Sequence, residues 1–200
     1  MLHYSPMAAR LTIDLPAWVE AATADGQTFR DDHDKMALVI RLAEENATRG
    51  EGGPFGAAVF ELGSGRVVAA GVNRVVQASH FVLHAELLAL MFAQQRVGSS
   101  TLRTPGGSGH ELVTSCEPCA MCLGATIWSG VSRLVIGAER ADAMSVGFEE
   151  GPVFAESYAY IAKRGVETVR GIRRDEAVRL LHAYRDRGGP IGDAGGLSGP

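Results

Sequence analysis

One imidazole and two thiols stand out in this 200-residue chain for the chemistry they can do together: His84 in His84-Ala85-Glu86, and the pair in Pro118-Cys119-Ala120-Met121-Cys122. One nitrogen and two thiolate sulfurs are donors that zinc prefers. A catalytic zinc with three protein ligands leaves its fourth tetrahedral position to water. The metal lowers the pKa of that water from ~15.7 to about 7, which makes hydrolysis at neutral pH feasible. Glu86, two residues from the imidazole, is the candidate acid–base group. A closed structural site would need a fourth donor, for which Cys116 is the obvious candidate. The expected role of Cys116 is instead a small buried residue in a strand-to-helix turn. Three cysteines within seven residues make a poor disulfide framework.

Two chain segments must converge to bring these groups together. Cys119 and Cys122 are spaced i, i+3, which puts them on one face of a helix, and Pro118 suits its first position. That helix is expected to run to about residue 128, with both thiols at the positive end of its dipole, where thiolates are favoured. His84 and Glu86 point to nearly opposite sides of any helix that contains both. The helix expected over 84–95 must therefore approach the metal end-on. A short buried strand over 112–115 feeds the cysteine helix.

A helix over 36–48 presents Met36, Val39, Ile40 and Ala43 on one face, is preceded by Asp31, Asp32 and Asp34, and is stopped by residues 50–54. Strands over 55–62 and 67–72 flank Gly63-Ser64-Gly65 and form an antiparallel hairpin. Downstream come a strand over 133–136, an irregular stretch with Gly147 and Gly151, a short helix over 156–162 and a strand over 168–172. A last helix follows, whose Ala177, Val178, Leu181 and Tyr184 read as one buried core stripe. The pattern predicts an α/β fold: a three-layer α-β-α sandwich whose mixed five-stranded sheet carries helices on both faces. The organisation expected is an N-terminal extension over 1–30 with an extra helix packed outside, a metal-binding domain over 31–187, and a flexible glycine-rich tail over 188–200.

With 46% hydrophobic and 21% charged residues the chain has the composition of a folded domain. No run of 18 apolar residues predicts a membrane span, and no basic stretch followed by an apolar block predicts a secretory leader, so the cytoplasm is the expected location. A net charge of -4 argues against general nucleic-acid binding. Eight Lys/Arg and four Asp/Glu between residues 163 and 187 read as a solvated helix face, with a phosphate-contacting surface as the alternative. His3, His33, His80, His110 and His182 lack metal-like spacing.

His84-Ala85-Glu86 followed by Pro118-Cys119-x-x-Cys122 resembles the signature of the cytidine-deaminase-like zinc deaminases. Gly53-Pro54-Phe55-Gly56-Ala57, Asn73, the stretch from Thr114 to Ala125, Trp128 and Gly147-Phe148-Glu149-Glu150 extend the likeness to the bacterial guanine deaminases of that fold, over about residues 35–156. The resemblance implies Zn2+ on His84, Cys119 and Cys122, hydrolysis of guanine to xanthine and ammonia, a small-molecule purine substrate and a homodimer. Some relatives exchange C-terminal segments between subunits. It implies that Glu86 shuttles protons while zinc-bound hydroxide attacks the amine-bearing ring carbon, and that Asn73 and Glu150 hold and help protonate the purine.

Chemistry is consistent with those roles. Asn73 carries both a donor and an acceptor, and Glu150 can accept from the ring N–H and the exocyclic amine of guanine. Glu149 is an equally available neighbour, and both also fit a solvated acidic loop with Glu139 and Asp142. Phe55, Phe148 and Trp128 are candidates to stack on or cap the base. Left open are a tRNA adenosine deaminase, a cytosine or aminotriazine deaminase, and a noncatalytic zinc-stabilised interaction protein.

Overall fold

The computed structural model describes residues 10–23, 26–104, 106 and 109–191. Helix α2 (Asp32–Thr48) begins four residues earlier than its apolar stripe suggests, because Asp31 caps it, accepting a hydrogen bond from Asp34 N at 2.8 Å. Asp32 and Asp34 thus belong to its first turn, where the helix dipole favours them. It is preceded by α1 (Ala17–Ala22), which buries Val19 against the α2 side of the core. After α1 the chain meets the sheet through an isolated antiparallel bridge between Thr28 and Arg66.

The hairpin forms as expected: β1 (Gly56–Glu61) pairs antiparallel with β2 (Val67–Val72). After it come α3 (Val75–Ala78), α4 (Ala85–Val97), β3 (His110–Cys116), α5 (Ala120–Ser129) and β4 (Arg133–Ala138). The described chain closes with α6 (Arg140–Ser145), α7 (Ala155–Lys163), β5 (Glu167–Val169) and α8 (Arg174–Asp186). The sheet order is β2-β1-β3-β4-β5, antiparallel through β1, β2 and β3 and parallel through β3, β4 and β5. Parallel neighbours need a crossover, and α5 and α7 provide the two.

Residues alternate between two cores. Ala58 and Phe60 of β1 face α2 and α8, while Ala57 and Val59 face the layer of α4, α5 and α7. Two glycines admit the helices closely. A Cβ at Gly56 would strike Val39 O of α2 at 2.5 Å, and one at Gly71 would collide with the backbone of Ala85 in α4.

Other boundaries differ from the sequence expectation as well. Pro118 is not the first helical residue: Cys119 is the N-cap of α5, with extended backbone (φ -63°, ψ 172°). Glu117 before the proline is held by its N–H on Ala138 O at 2.8 Å, so the chain turns between the proline and the helix. The stretch expected to be irregular contains α6, whose start is organised by Glu139 N donating to Asp142 Oδ2 at 2.8 Å. Glu139 and Asp142 also pair with Arg174, so they cap and tie helices rather than form a solvated loop. The last strand is three residues, although Ile172 N still reaches Ile136 O at 3.1 Å.

Sheet register explains where function can sit. Gly56 pairs with Val72, Ala57 with Thr114, and Cys116 with Ala138, so the start of β1 and the ends of β2, β3 and β4 share one edge. The opposite end carries a charged quartet. Glu111 on β3 is fully buried and accepts from Lys35 Nζ at 2.5 Å and Arg133 Nη1 at 2.6 Å, and Arg133 also grips both oxygens of Asp32 at 2.7 Å.

Removing one member of such a buried set strands the others. Glu111→Gln is expected to lower stability by about 3–5 kcal/mol, read by urea unfolding, while zinc content per folded chain stays constant. A loss below about 1 kcal/mol would mean the quartet behaves like a surface ion pair. The Arg133 guanidinium, hydrogen-bonded to Asp32, holds that carboxyl below its ordinary value of 3.8. A depressed carboxylate stabilises the fold above its unfolded pKa, and that contribution fades as pH falls through the lower, folded one. The melting-temperature gap between the protein and Asp32→Asn should therefore be full at pH 6 and narrow below about pH 4. A gap that widens on acidification would refute the linkage.

Candidate active site

The metal-type residues meet at two helix N-termini. His84 is the N-cap of α4, with extended backbone (φ -71°, ψ 154°), and Glu86 is two residues on, in the first turn. The conflict between residues two apart on a helix disappears because only Glu86 is helical. Cys119 caps α5 and Cys122 lies in its first turn. His84 Nδ1 is 3.6 Å from Cys119 Sγ and 3.5 Å from Cys122 Sγ. A tetrahedral zinc with Zn–S of about 2.3 Å and Zn–N of about 2.05 Å requires N···S edges of about 3.6 Å. The donor set fits zinc, and it is the one metal-type cluster among the described residues. Cys116 stands outside that trio, buried at the end of β3 and facing the cavity.

The groups are electrostatically coupled. Cys119 is drawn down to about 4, first by its hydrogen bond with Cys122 and also by His84, against burial. The same bond, with burial, holds Cys122 well above 9.0. Burial would lower His84, but the hydrogen bond with Cys119 and the charges of Glu86 and Cys119 raise it. Burial pushes Glu86 up to about 7, only partly offset by His84. Burial likewise raises Glu150 to about 8, helped by the charges of Cys119 and Glu86.

A cavity of about 370 Å³ opens onto this cluster, a size suited to a small molecule. Asn73, Glu86 and Glu150 line it as buried residues, together with His84 and Cys119. Glu149 also reaches its rim but is exposed, its carboxylate turned back to accept from Gly151 N at 2.8 Å. Of the two neighbours, Glu150 faces inward. Asn73 Oδ1 accepts from Val75 N at 3.3 Å, which orients the amide; the oxygen keeps a second lone pair and the NH2 its two donors. Phe55 and Phe148 form an edge-to-face pair (centroids 4.8 Å apart, 75°) on the wall, and Tyr184 stacks on Phe148 at 6.2 Å. Trp128 is not brought to the cavity: it is 80% exposed near the C-terminal end of α5, far along the helix from the cysteines.

Several participants escaped the sequence reading. Tyr184, expected as core, closes one side and donates to Pro190 O at 3.2 Å, which brings that proline to the cavity wall. Residues 192–200 of the expected tail, and His3, lie outside the described residues. Asn46 is fully buried on α2 and donates to Gly53 O at 3.0 Å and Asn73 O at 2.9 Å, clamping two wall segments together. Its signal was a polar residue continuing the apolar register of Val39 and Ala43. His110 packs instead of ligating, with Nδ1 2.7 Å from Leu102 O.

A mixed sheet flanked by helices, with His-x-Glu and Cys-x-x-Cys at facing helix N-termini around a cavity, is the arrangement of a zinc-dependent hydrolase. Residues 30–138 match the profile of the cytidine and deoxycytidylate deaminase zinc-binding region, and the chain belongs to that family. It is similar to a guanine deaminase of Bacillus subtilis, 36% identical over 60% of this chain and 73% of that one. A solved guanine deaminase from Nitrosomonas europaea is 40% identical, with a TM-score of 0.86 over 91% of this chain and all of the other. A tRNA-specific adenosine deaminase of Buchnera aphidicola is 30% identical over 74% of this chain and 90% of its own length. No helix among the described residues is long and apolar enough to cross a membrane.

Proposed function

We propose that the protein hydrolyses guanine to xanthine and ammonia. The observation that carries this reading is the second buried carboxylate, Glu150, lining the same cavity as Glu86 and the His84, Cys119 and Cys122 cluster. His84, Cys119 and Cys122 would hold a zinc ion, which when bound would supply a Lewis acid that lowers the pKa of water toward about 7.

Glu86 takes a proton from the attacking water and delivers it to N3, where negative charge develops as oxygen adds to C2. Glu86 then moves the remaining proton of the hydroxyl added at C2 to the amine, which leaves as ammonia as the C2–N bond breaks and the C2 carbonyl forms. Burial and the Cys119 charge raise Glu150, and a bound metal would offset that charge; the ionised carboxylate then accepts from N1–H and the C2 amine, a donor pair that orients guanine with C2 toward Glu86. Adenine carries an acceptor at N1, which a carboxylate does not satisfy. The Asn73 NH2 donates to a purine acceptor, and the edge-to-face pair Phe55 and Phe148 forms an apolar wall beside the ring. Trp128 has no part in this reading.

We also read the enzyme as a cytoplasmic homodimer that does not act on nucleic acid. Three buried free thiols suit a reducing compartment, the exposed apolar Trp128 and Met91 suit an interface, and the net charge of -4 disfavours polyanions.

The test is ammonia release across guanine, guanosine, adenine, cytosine, cytidine, an aminotriazine and a tRNA anticodon stem-loop. Guanine should lead in kcat/KM by roughly a hundredfold or more. Preference for the stem-loop would transfer the same chemistry to RNA, and preference for cytosine would remove Glu150 from substrate choice.

A further inference from the structure

Glu150 has to hold its carboxyl at one place in the cavity, yet it sits in a turn between α6 and α7 with no helix or strand of its own. Its backbone is tied at two points. Its own carbonyl accepts from Ala120 N at 3.0 Å, which fixes it to the first residue of α5 beside Cys119. The next carbonyl, of Gly151, accepts from Arg140 Nη2 at 2.9 Å.

Arg140 is itself anchored. Its backbone N–H donates to Glu117 Oε2 at 2.9 Å, and Glu117 Oε1 pairs with Arg170 at 3.1 Å. Arg170 in turn lies 4.0 Å over the Tyr158 ring. The Arg140 guanidinium reaches inward far enough to bury Nε without a hydrogen-bond partner. An unsatisfied buried donor is costly and is retained only where the rest of the group is needed. Arg140 does not line the cavity.

We propose that Arg140 is a positioning residue for substrate recognition: bridging Glu117 and the Gly151 carbonyl, it sets the turn that aims the Glu150 carboxyl at the purine. The proposal rests on the substrate role given to Glu150 above. Displacing a recognition group by about 1 Å can cost up to a hundredfold in rate. Arg140 acts only through Glu150, so its contribution vanishes once the Glu150 carboxylate is gone.

The experiment is a double-variant cycle on the zinc-loaded enzyme with guanine. Arg140→Met is expected to lower kcat/KM roughly 10- to 100-fold, divided between kcat and KM as in Glu150→Gln, with zinc content and melting temperature close to those of the parent. Arg140→Lys, which can still donate to Gly151 O, should recover most of the loss. In the Glu150→Gln background, Arg140→Met should cost less than about threefold more. A full multiplicative loss in that background, or no rescue by lysine, would make Arg140 a merely structural residue and overturn the proposal. An impaired Glu150→Gln beside an unimpaired Arg140→Met would defeat the role of Arg140 alone. An unimpaired Glu150→Gln would defeat the reading of Glu150, and that of Arg140 with it. If Arg140→Met does not fold, the lysine variant and Arg140→Gln run the same cycle.

Discussion

Glu86→Gln should keep a full complement of zinc and lose turnover by roughly 10²- to 10⁴-fold, the usual worth of a positioned proton-transfer group. The amide matches the carboxylate in shape and remains in the first turn of α4, so packing at this buried position is preserved. What it cannot do is accept a proton. Metal content should not change, because the donor trio consists of His84, Cys119 and Cys122. Ammonia release in parallel with metal analysis checks both halves. A variant working at near-normal rate would remove Glu86 from the mechanism, and one that lost zinc would make it a ligand.

Cys119→Ala should be more drastic still. It removes one of three protein donors and the thiolate that the α5 N-terminus, Cys122 and His84 favour. Dialysed protein should hold well under one zinc per chain and release no ammonia above background. Its melting temperature should fall as well, since metal binding to the folded state adds to stability. Cys116→Ala is the matching control: it should retain zinc, because its sulfur lies outside the trio. Full zinc and full turnover in Cys119→Ala would contradict the ligand assignment, and zinc loss in Cys116→Ala would favour a closed four-donor site.

The metal motif was legible because residue type and spacing alone constrain it, and the order of strands and helices followed from period and turn chemistry. What the sequence did not contain locally was the third dimension of the cavity wall. Tyr184 carries the same helical stripe as Ala177 and Leu181, and only the path of the chain through Pro190 distinguishes a wall from a core. Glu149 and Glu150 are chemically equal in the sequence. The hydrogen bond from Gly151 N is what turns one outward. Trp128 shared a helix with the cysteines, but a helix that meets the metal with its N-terminus carries its last turn away from the site. The short helices α3 and α6 were invisible because four or six residues cannot display a helical period. Pro118 misled by two positions: it stands just before the N-cap Cys119 instead of opening the helix at Ala120.

The most direct test of the central claim is X-ray absorption at the zinc edge of the purified protein. One zinc per chain is expected, with two sulfur scatterers at about 2.3 Å and two nitrogen or oxygen scatterers at about 2.0–2.1 Å. Three or four sulfurs, or a chain that folds without retaining zinc, would contradict it.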